Sequence, residues 1–376
     1  MKPLQCPLLT HSGHSVLRIV ATRKIASGTI PPVINPCCNH GVVGSVVPAL
    51  GKAMRRRDFI KGIIGSAAWP LAARAQQVKR IPRIGVLLFG TPETDPNLPA
   101  FVRGLRELGY VESQNIVIDY RYAEGKPDRL RGLAGELVAT KPDLIFALGG
   151  DVAPSARVAT ASIPIVVAVS NDPVQAGLVA DLAHPGGNIT GVTFVSSDLA
   201  AKRLQFLREI SPSLSRVGVL WNPDHVDPEY REVEGAAKTL GIEVRSLEVR
   251  SPGDFDSAFE AATNDRIQAL MPISSRLMLI NRARILEFSR QHQLLLASGF
   301  GPWAREGALL SYGPDIDAST KRAAAYVDKI LRGAKPDELP IEQPTKFQLV
   351  VNSKTAKSLS LNIPASLLAT ADQIIE

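Results

Sequence analysis

Cysteine is nearly missing from this 376-residue chain: Cys6, Cys37 and Cys38 are the only three, and nothing after residue 38 carries a thiol. That excludes a cysteine nucleophile, an iron–sulfur cluster, a zinc ribbon and a disulfide framework from most of the sequence. Histidine is also sparse. Beyond residue 40 there are only His184, His225 and His292, too widely spaced for His-based metal ligation, so neither a metal nor a cofactor is expected. No apolar run reaches the ~20 residues that span a bilayer. Acidic residues are missing from the first 75 positions except for Asp58, while 10 of the 43 Lys+Arg lie there, giving that segment +9. The remaining 33 basic and 35 acidic groups leave the rest of the chain at −2, although the whole carries +7. The basic excess therefore belongs to the N-terminal segment and not to a binding face of a folded body, and no nucleic-acid partner is expected.

That segment has its own logic. Met54 opens Met-Arg-Arg-Arg-Asp-Phe-Ile-Lys, followed by the weakly apolar stretch from Gly62 to Leu71 and by Ala73-Arg74-Ala75. A charged region, a short apolar region and a small-x-small site in that order form an export signal, with cleavage after Ala75. Arg56-Arg57-Asp58-Phe59-Ile60-Lys61 resembles the twin-arginine variety, which delivers folded proteins. The expectation is a periplasmic protein with a signal peptide at 54–75. Residues 1–53 hold no acid and many breakers, and are read as a disordered extension upstream of the true start.

From residue 80 onward, short apolar β-rich runs alternate with helical patterns. Ile84 to Phe89, Ile116 to Tyr120, Leu144 to Leu148 and Ile165 to Val169 read as strands. Between them, Leu98, Phe101, Val102, Leu105 and Leu108, then Leu130, Leu133, Ala134 and Leu137, recur at helical spacing. Continuous apolar strands separated by helices imply a parallel sheet covered on both faces. The pattern then restarts. Val217-Gly-Val-Leu-Trp-Asn222 echoes the first strand and its loop, and further strands follow at Glu243–Glu248, Ala269–Ile273 and Leu294–Ala297. A strand follows at 309–313, and then one extra helix (323–331) and one extra strand (347–352) fit neither set alone. They make sense if the chain returns to the first lobe and then to the second. The expected fold is α/β, two Rossmann-like lobes with parallel sheets joined by a three-crossover hinge: 80–193 plus 312–336 for the N-terminal lobe, 194–311 plus 340–376 for the C-terminal lobe.

Several stretches carry a resemblance. Asn171-Asp-Pro-Val-Gln-Ala-Gly-Leu-Val179, His184-Pro-Gly-Gly-Asn-Ile-Thr-Gly191, Lys329-Ile-Leu-Arg-Gly-Ala-Lys-Pro336, Leu339-Pro-Ile-Glu-Gln-Pro-Thr-Lys-Phe347 and Asn352-x-x-Thr-Ala-x-x-Leu359 together resemble the tryptophan-type substrate-binding proteins of ABC importers, which have a type I periplasmic-binding-protein fold. The resemblance implies capture of a small-molecule ligand between closing lobes and delivery to an ABC permease in the inner membrane. It also implies aromatic amino acids as the favoured ligands, and with no poised nucleophile–base pair in the sequence no enzymatic activity is expected. An aliphatic amino acid or small carboxylate is the alternative ligand. A monomer is expected, since a closing hinge and a permease-docking face leave little surface for oligomerisation.

Ligands in open α/β sheets bind beyond the carboxyl ends of strands. That places Thr91, Gly149, Gly150, Asp151, Asn171 and Asp172 from the first lobe in the expected site. Ser196, Trp221, Asn222, Ser274, Ser275 and Ser298 come from the second. Glycine N–H and serine hydroxyl groups suit an anion, Asp151 or Asp172 an ammonium, and Trp221 a planar group. Each has a structural alternative. Asp172 before Pro173 reads equally as a cap, the serines as N-caps, the glycine pair as a turn, and Trp221 as filler of the interlobe wall. Asp224-His225-Val-Asp227 reads as a solvated turn. No Gly-x-Gly-x-x-Gly fingerprint, P-loop or Gly-x-Ser-x-Gly elbow occurs, so the competing roles are an exported sensor feeding a membrane histidine kinase and, further off, a periplasmic α/β enzyme.

Overall fold

A computed structural model describes residues 80–194 and 197–376. The 1–53 extension, the export signal at 54–75 and the candidate Ser196 lie outside these residues.

Strands β1 (Arg83–Leu88), β2 (Val117–Tyr122), β3 (Leu144–Leu148), β4 (Ile165–Val169) and β5 (Ile189–Thr193) form a wholly parallel sheet in the order β2-β1-β3-β4-β5. Every residue of β3 and β4 is buried, which is why these segments are continuously apolar instead of alternating. β2, at the edge, is half-buried and polar; its Asp119 meets Arg83 of β1 at 2.9 Å. The helices α1 (Leu98–Glu107), α2 (Leu130–Ala139) and α3 (Ala153–Ala159) cross over between strands. On one face Phe101 of α1 stacks on Phe146 of β3 at 3.8 Å between ring centroids. On the other, Leu133, Ala134 and Leu137 of α2 pack with Leu87 and Ile145.

The second lobe repeats the plan. β6 (Arg216–Trp221), β7 (Glu243–Glu248), β8 (Ala269–Pro272), β9 (Leu295–Ser298), β10 (Leu310–Pro314), β11 (Phe347–Asn352) and β12 (Gln373–Ile375) run in the order β12-β11-β10-β9-β8-β6-β7. Its five strands β7-β6-β8-β9-β10 reproduce the first sheet's order. β11 is then added antiparallel to β10, and β12 parallel to β11. The helices here are α4 (Ser197–Ile210), α5 (Glu229–Leu240), α6 (Phe255–Asn264), α7 (Arg276–Ile280), α8 (Arg282–Gln291) and α9 (Gly301–Glu306). Asn281 separates α7 from α8, its side-chain amide donating to Leu277 O at 2.9 Å.

Three crossovers join the lobes. The first follows β5. The second follows β10, which stays in the second sheet through Pro314, beyond the expected boundary at 312. Asp315 then caps α10 (Ile316–Leu331), which returns to pack on α1 of the first lobe. Tyr326 and Val327 of α10 lie in the same buried cluster as Phe101 and Phe146. The third crossover runs beside β5: Glu342 N donates to Gly191 O at 3.0 Å, and Thr193 N to Glu342 O at 2.9 Å. Arg322 of α10 holds Glu342 through two bonds of 2.8 and 2.7 Å, so this crossover is pinned to the first lobe before β11 begins. The chain ends with α11 (Ser353–Ser358), α12 (Ala365–Thr370) and β12. These short elements, like α3 and α9, have too few periodic residues to stand out in the sequence. Two Rossmann-like lobes of this connectivity form the type I periplasmic-binding-protein architecture. Among the described residues no helix is long and apolar enough to cross a membrane.

Candidate ligand-binding site between the lobes

The carboxyl ends of both sheets point into the space between the lobes, and the loops and helices that follow them carry a buried ionic network. From the first lobe come Asp95, Asp151, Ser170 and Asn171; from the second come Arg203, His225, Asp227, Glu229, Ser274 and Arg276. Among these, Asp95, Arg203, His225 and Glu229 are each no more than 4% exposed.

Each is placed by its element. After β1, Thr91 forms a turn whose carbonyl accepts from Thr94 N and Asp95 N, and Asp95 Oδ1 then accepts from Asn97 N and Leu98 N at the start of α1. After β3, Gly149 adopts φ +123°, a backbone region that glycine tolerates and other residues rarely adopt. A Cβ there would come 2.5 Å from Arg276 Cγ, and one on Gly150 would come 2.6 Å from His225 Cε1. The glycine pair is therefore needed to let second-lobe side chains lie against the first lobe. After β6, Asn222 makes the turn that delivers His225: its Oδ1 accepts from Asp224 N at 3.0 Å and its carbonyl accepts from His225 N at 3.0 Å. After β8, Ser275 caps α7 by accepting from Met278 N at 3.3 Å, which fixes Arg276 at the first position of that helix.

The contacts between lobes are direct. His225 Nδ1 lies 2.6 Å from Asp151 Oδ1, and its Nε2 lies 3.3 Å from Ser170 Oγ. Arg276 Nη2 is 2.9 Å from Asp95 Oδ2, its Nε donates to Leu148 O at 3.2 Å, and its backbone N–H donates to Asp151 Oδ2 at 3.1 Å. Within the second lobe Arg203 Nη2 meets Glu229 Oε2 at 3.1 Å, and Ser274 N donates to the same oxygen at 3.2 Å. Burial alone would lower the His225 pKa, but Asp151, with Asp227 and Glu229 behind it, outweighs this and lifts it to about 9. Burial pushes the Asp151 carboxyl up, and His225 and Arg276 more than reverse that, holding it below the usual carboxylate range. Burial and the neighbouring Glu229 together drive the Asp227 carboxyl up to about 8. Three basic side chains (Arg203, His225, Arg276) thus face four carboxyl groups (Asp95, Asp151, Asp227, Glu229), and burial and Glu229 push Asp227 towards its neutral form, so the opposite charges come close to balancing.

Within this network, Asn171 Oδ1 and Arg203 Nε are among the buried side-chain atoms that have no hydrogen-bond partner. Next along the chain from Asp95, Pro96 and Asn97 form one wall of an interlobe cavity of about 350 Å³, opposed by Leu279, Phe300 and Trp303 of the second lobe. That volume suits a small solute.

Of the expected site residues, Gly149, Gly150, Asp151, Asn171 and Ser274 come together in this network. Thr91, Asn222 and Ser275 shape the loops that carry it. Ser298 serves its own turn, accepting from Phe300 N at 3.1 Å. Asp172 forms a local turn, with Oδ1 accepting from Val174 N and Gln175 N at 2.8 and 3.2 Å. Trp221 stacks on Tyr230 at 4.1 Å and donates from Nε1 to Ser246 Oγ on β7, so it is engaged with its own lobe. The turn at Asp224–Asp227 is not solvated as expected: His225 is buried and is the second lobe's main side-chain contact with Asp151. Sequence reading also passed over Asp95, Arg203, Glu229 and Arg276. Arg203 and Glu229 sit mid-helix and at a helix start, where charged residues ordinarily face water. Only the Ser-Ser-Arg run after β8 was a signal, since it sets a cation at the start of a helix, where the dipole disfavours it.

Residues 88–375 match the family described as ABC transporter substrate binding protein. A curated relative, the tyrosine-binding protein of Clostridioides difficile strain R20291, is 25% identical over 287 residues, 75% of this chain and 82% of that protein. Among solved structures, a conserved domain protein from Vibrio cholerae O1 biovar El Tor aligns with a TM-score of 0.73 and 26% identity, over 78% of this chain and 100% of that one. An ABC domain from Streptococcus pneumoniae in complex with L-Trp aligns with a TM-score of 0.71 and 25% identity, over 78% and 99%. The family's members bind ligands and are not enzymes. With the match spanning the two lobes and the network between them, the chain belongs to the ABC transporter substrate-binding protein family.

Proposed function

We propose that this protein is the periplasmic solute-binding component of an ABC importer, working as a monomer and handing an amino acid or amino-acid-like zwitterion to a permease in the inner membrane. The observation that carries the ligand class is the polarity of the cleft. The first lobe offers acceptors (Asp95, Asp151, the Leu148 carbonyl, Asn171 Oδ1), and the second offers the cations Arg276, His225 and Arg203. A solute with an ammonium at one end and a carboxylate at the other matches both faces without leaving a buried charge unpaired. A dicarboxylate or a diamine would unbalance a site that is close to neutral. The cavity beside Pro96 and Asn97 offers Leu279, Phe300 and Trp303 to a side chain, with Arg282, Arg305, Glu306, Asp315 and Asp317 also lining it, and the tyrosine and L-Trp named for the relatives are in keeping with that mixed lining. The export reading of residues 54–75 supports the compartment.

Thermal shift of the protein against amino acids, organic acids, amines, sugars and purines tests this. A ligand at ~100 times its Kd adds ~2.7 kcal/mol to stability. The expected result is a shift with one or a few amino acids that Asp151→Asn abolishes. A shift with a sugar or purine and with no amino acid would remove the zwitterion reading.

A further inference from the structure

Helix α1 begins with an asparagine that does not cap it. Asn97 stands at the N-cap, where an asparagine side chain ordinarily accepts from the first turn, yet its side chain makes no cap hydrogen bond. Asp95 holds the turn instead, its Oδ1 accepting from Asn97 N at 3.0 Å and from Leu98 N at 3.2 Å. The Asn97 carboxamide, on a residue only 7% exposed, has no hydrogen-bond partner among the described residues, and it lines the interlobe cavity of about 350 Å³. From the second lobe, Gln348 of β11 lines the same cavity, and its carboxamide is likewise unpartnered among the described residues. The charged groups of the lining are engaged. Arg282 Nε lies 2.9 Å from Glu306 Oε2, Arg305 donates twice to Gln373 Oε1, Asp317 meets Arg103 at 3.4 Å, and Asp315 caps α10. The aromatic part of the lining is Phe300 stacked on Trp303 at 5.7 Å between centroids, and Trp303 Nε1 is buried with no partner.

Leaving buried polar groups unpaired is costly, and this cavity holds several. We infer that Asn97 and Gln348 are specificity-determining residues: they hydrogen-bond an uncharged polar group at the far end of the solute's side chain, so that the protein takes a ring-bearing amino acid with a hydroxyl or N–H at its tip in preference to one whose ring is wholly apolar. The inference rests on the amino-acid reading proposed above and adds what the side chain must carry. Pro96 and Asn97 follow Asp95 directly, so the cavity adjoins the ionic network that meets the solute's charged ends. A carboxamide both donates and accepts, which suits either kind of tip, but it brings no counter-charge for an ion. The charges already in the lining have partners of their own, so a charged tip would enter unpaired. Asn97 belongs to the first lobe and Gln348 to the second, and lobes closing around the solute hold the tip from both sides. A site built to hydrogen-bond such a group rejects an analogue that lacks it, because its own polar groups are then stranded.

Titration calorimetry on the full-length protein with two pairs of probes tests this. L-tyrosine is set against L-phenylalanine, which lacks only the hydroxyl, and L-tryptophan against L-3-benzothienylalanine, which has sulfur in place of the ring N–H. At least one pair should favour its polar-tipped member by about tenfold, the worth of one such hydrogen bond. Asn97→Leu and Gln348→Leu should each bring that ratio to within about threefold of unity. Damage to the fold alone would weaken both members together and keep the ratio, whereas Asp151→Asn, at the charged end, should abolish the binding of both. Equal affinities within both pairs would overturn the inference, and so would an undiminished ratio in both Asn97→Leu and Gln348→Leu. In either case binding that still depends on Asp151 leaves the amino-acid reading standing. Binding by none of the four would also overturn it, and a thermal shift with some other amino acid would then show that only the side-chain inference had failed. Should Asn97→Leu fail to fold, Gln348→Leu decides, because its side chain makes no hydrogen bond within the described residues.

Discussion

The two lobes share one strand order yet meet the cleft with different chemistry, and the difference shows where in this fold the function is encoded. The first sheet and five strands of the second run 2-1-3-4-5 in their own numbering, and in both the central strands are apolar. What differs is the loop at the end of each equivalent strand. The loop after β1 carries Asp95, whereas the loop after its counterpart β6 carries His225; the loop after β3 carries Gly149–Gly150–Asp151, whereas that after β8 carries Ser274–Ser275–Arg276. The first lobe has become an acceptor face and the second a cationic one. Two kinds of ion pair follow. Arg203–Glu229 lies inside the second lobe and is part of its fold. Arg276–Asp95 and His225–Asp151 lie between lobes and exist only while they are closed.

The largest effect should come from the intralobe pair. Arg203→Met leaves Glu229 buried without its cation and is expected to lower unfolding free energy by ~3–5 kcal/mol, read by urea denaturation. Adding Glu229→Gln should recover much of that loss, because it removes the stranded charge. Arg276→Met should cost clearly less by the same assay, since opening the lobes lets Asp95 regain water. Equal losses for the two arginines would erase the distinction between the pair that holds a lobe together and the pair that holds two lobes to each other.

The pH dependence sharpens the comparison next. The closed fold raises the His225 pKa from an ordinary ~6.5 to about 9, so its stabilising contribution is complete below the ordinary value and is lost as pH rises through about 9. Asp227, raised to about 8, acts with the same sign, its contribution fading as pH climbs from the normal carboxylate range to about 8. The melting temperature should therefore fall between pH 7 and 9.5. His225→Gln should flatten much of that slope, and an unchanged slope in this variant would show that the imidazole does not carry it. Asp151, held low, works in the opposite direction and loses its contribution only in acid.

These cases also show what a sequence discloses. Strands β3 and β4 are legible because burial on both faces demands unbroken apolar runs. The helices between them are legible because burial on one face imposes a period of about 3.6 residues. The glycine pair and Asp151 stand at a strand's carboxyl end, a place that position along the chain picks out. Arg276, Asp95 and Glu229 are not picked out, because a charge at a helix start or in a loop looks the same whether it faces water or a partner from the other lobe. His225 with Asp224 and Asp227 was read as solvated for that reason. Burial of these groups is decided by the closing of two lobes, a contact between residues some 75 to 180 positions apart that no local pattern records.

The smallest effects belong to the two candidates that the structure engages elsewhere. Asp172 makes only turn bonds to Val174 N and Gln175 N, and Trp221 bonds and stacks within its own lobe. Asp172→Ala should lower stability by ~0.5–1 kcal/mol through loss of that turn, comparable to losing a helix cap. Trp221→Phe keeps an aromatic ring against Tyr230 but loses the Ser246 hydrogen bond, for ~0.5–1.5 kcal/mol. Neither should change the affinity for whichever amino acid gives the thermal shift, whereas Asp151→Asn should abolish it. Titration calorimetry on the three variants makes the contrast. A tenfold loss of affinity in Asp172→Ala would mean that the carboxylate leaves its turn to meet the solute, and the acceptor face of the first lobe would then extend one residue beyond Asn171.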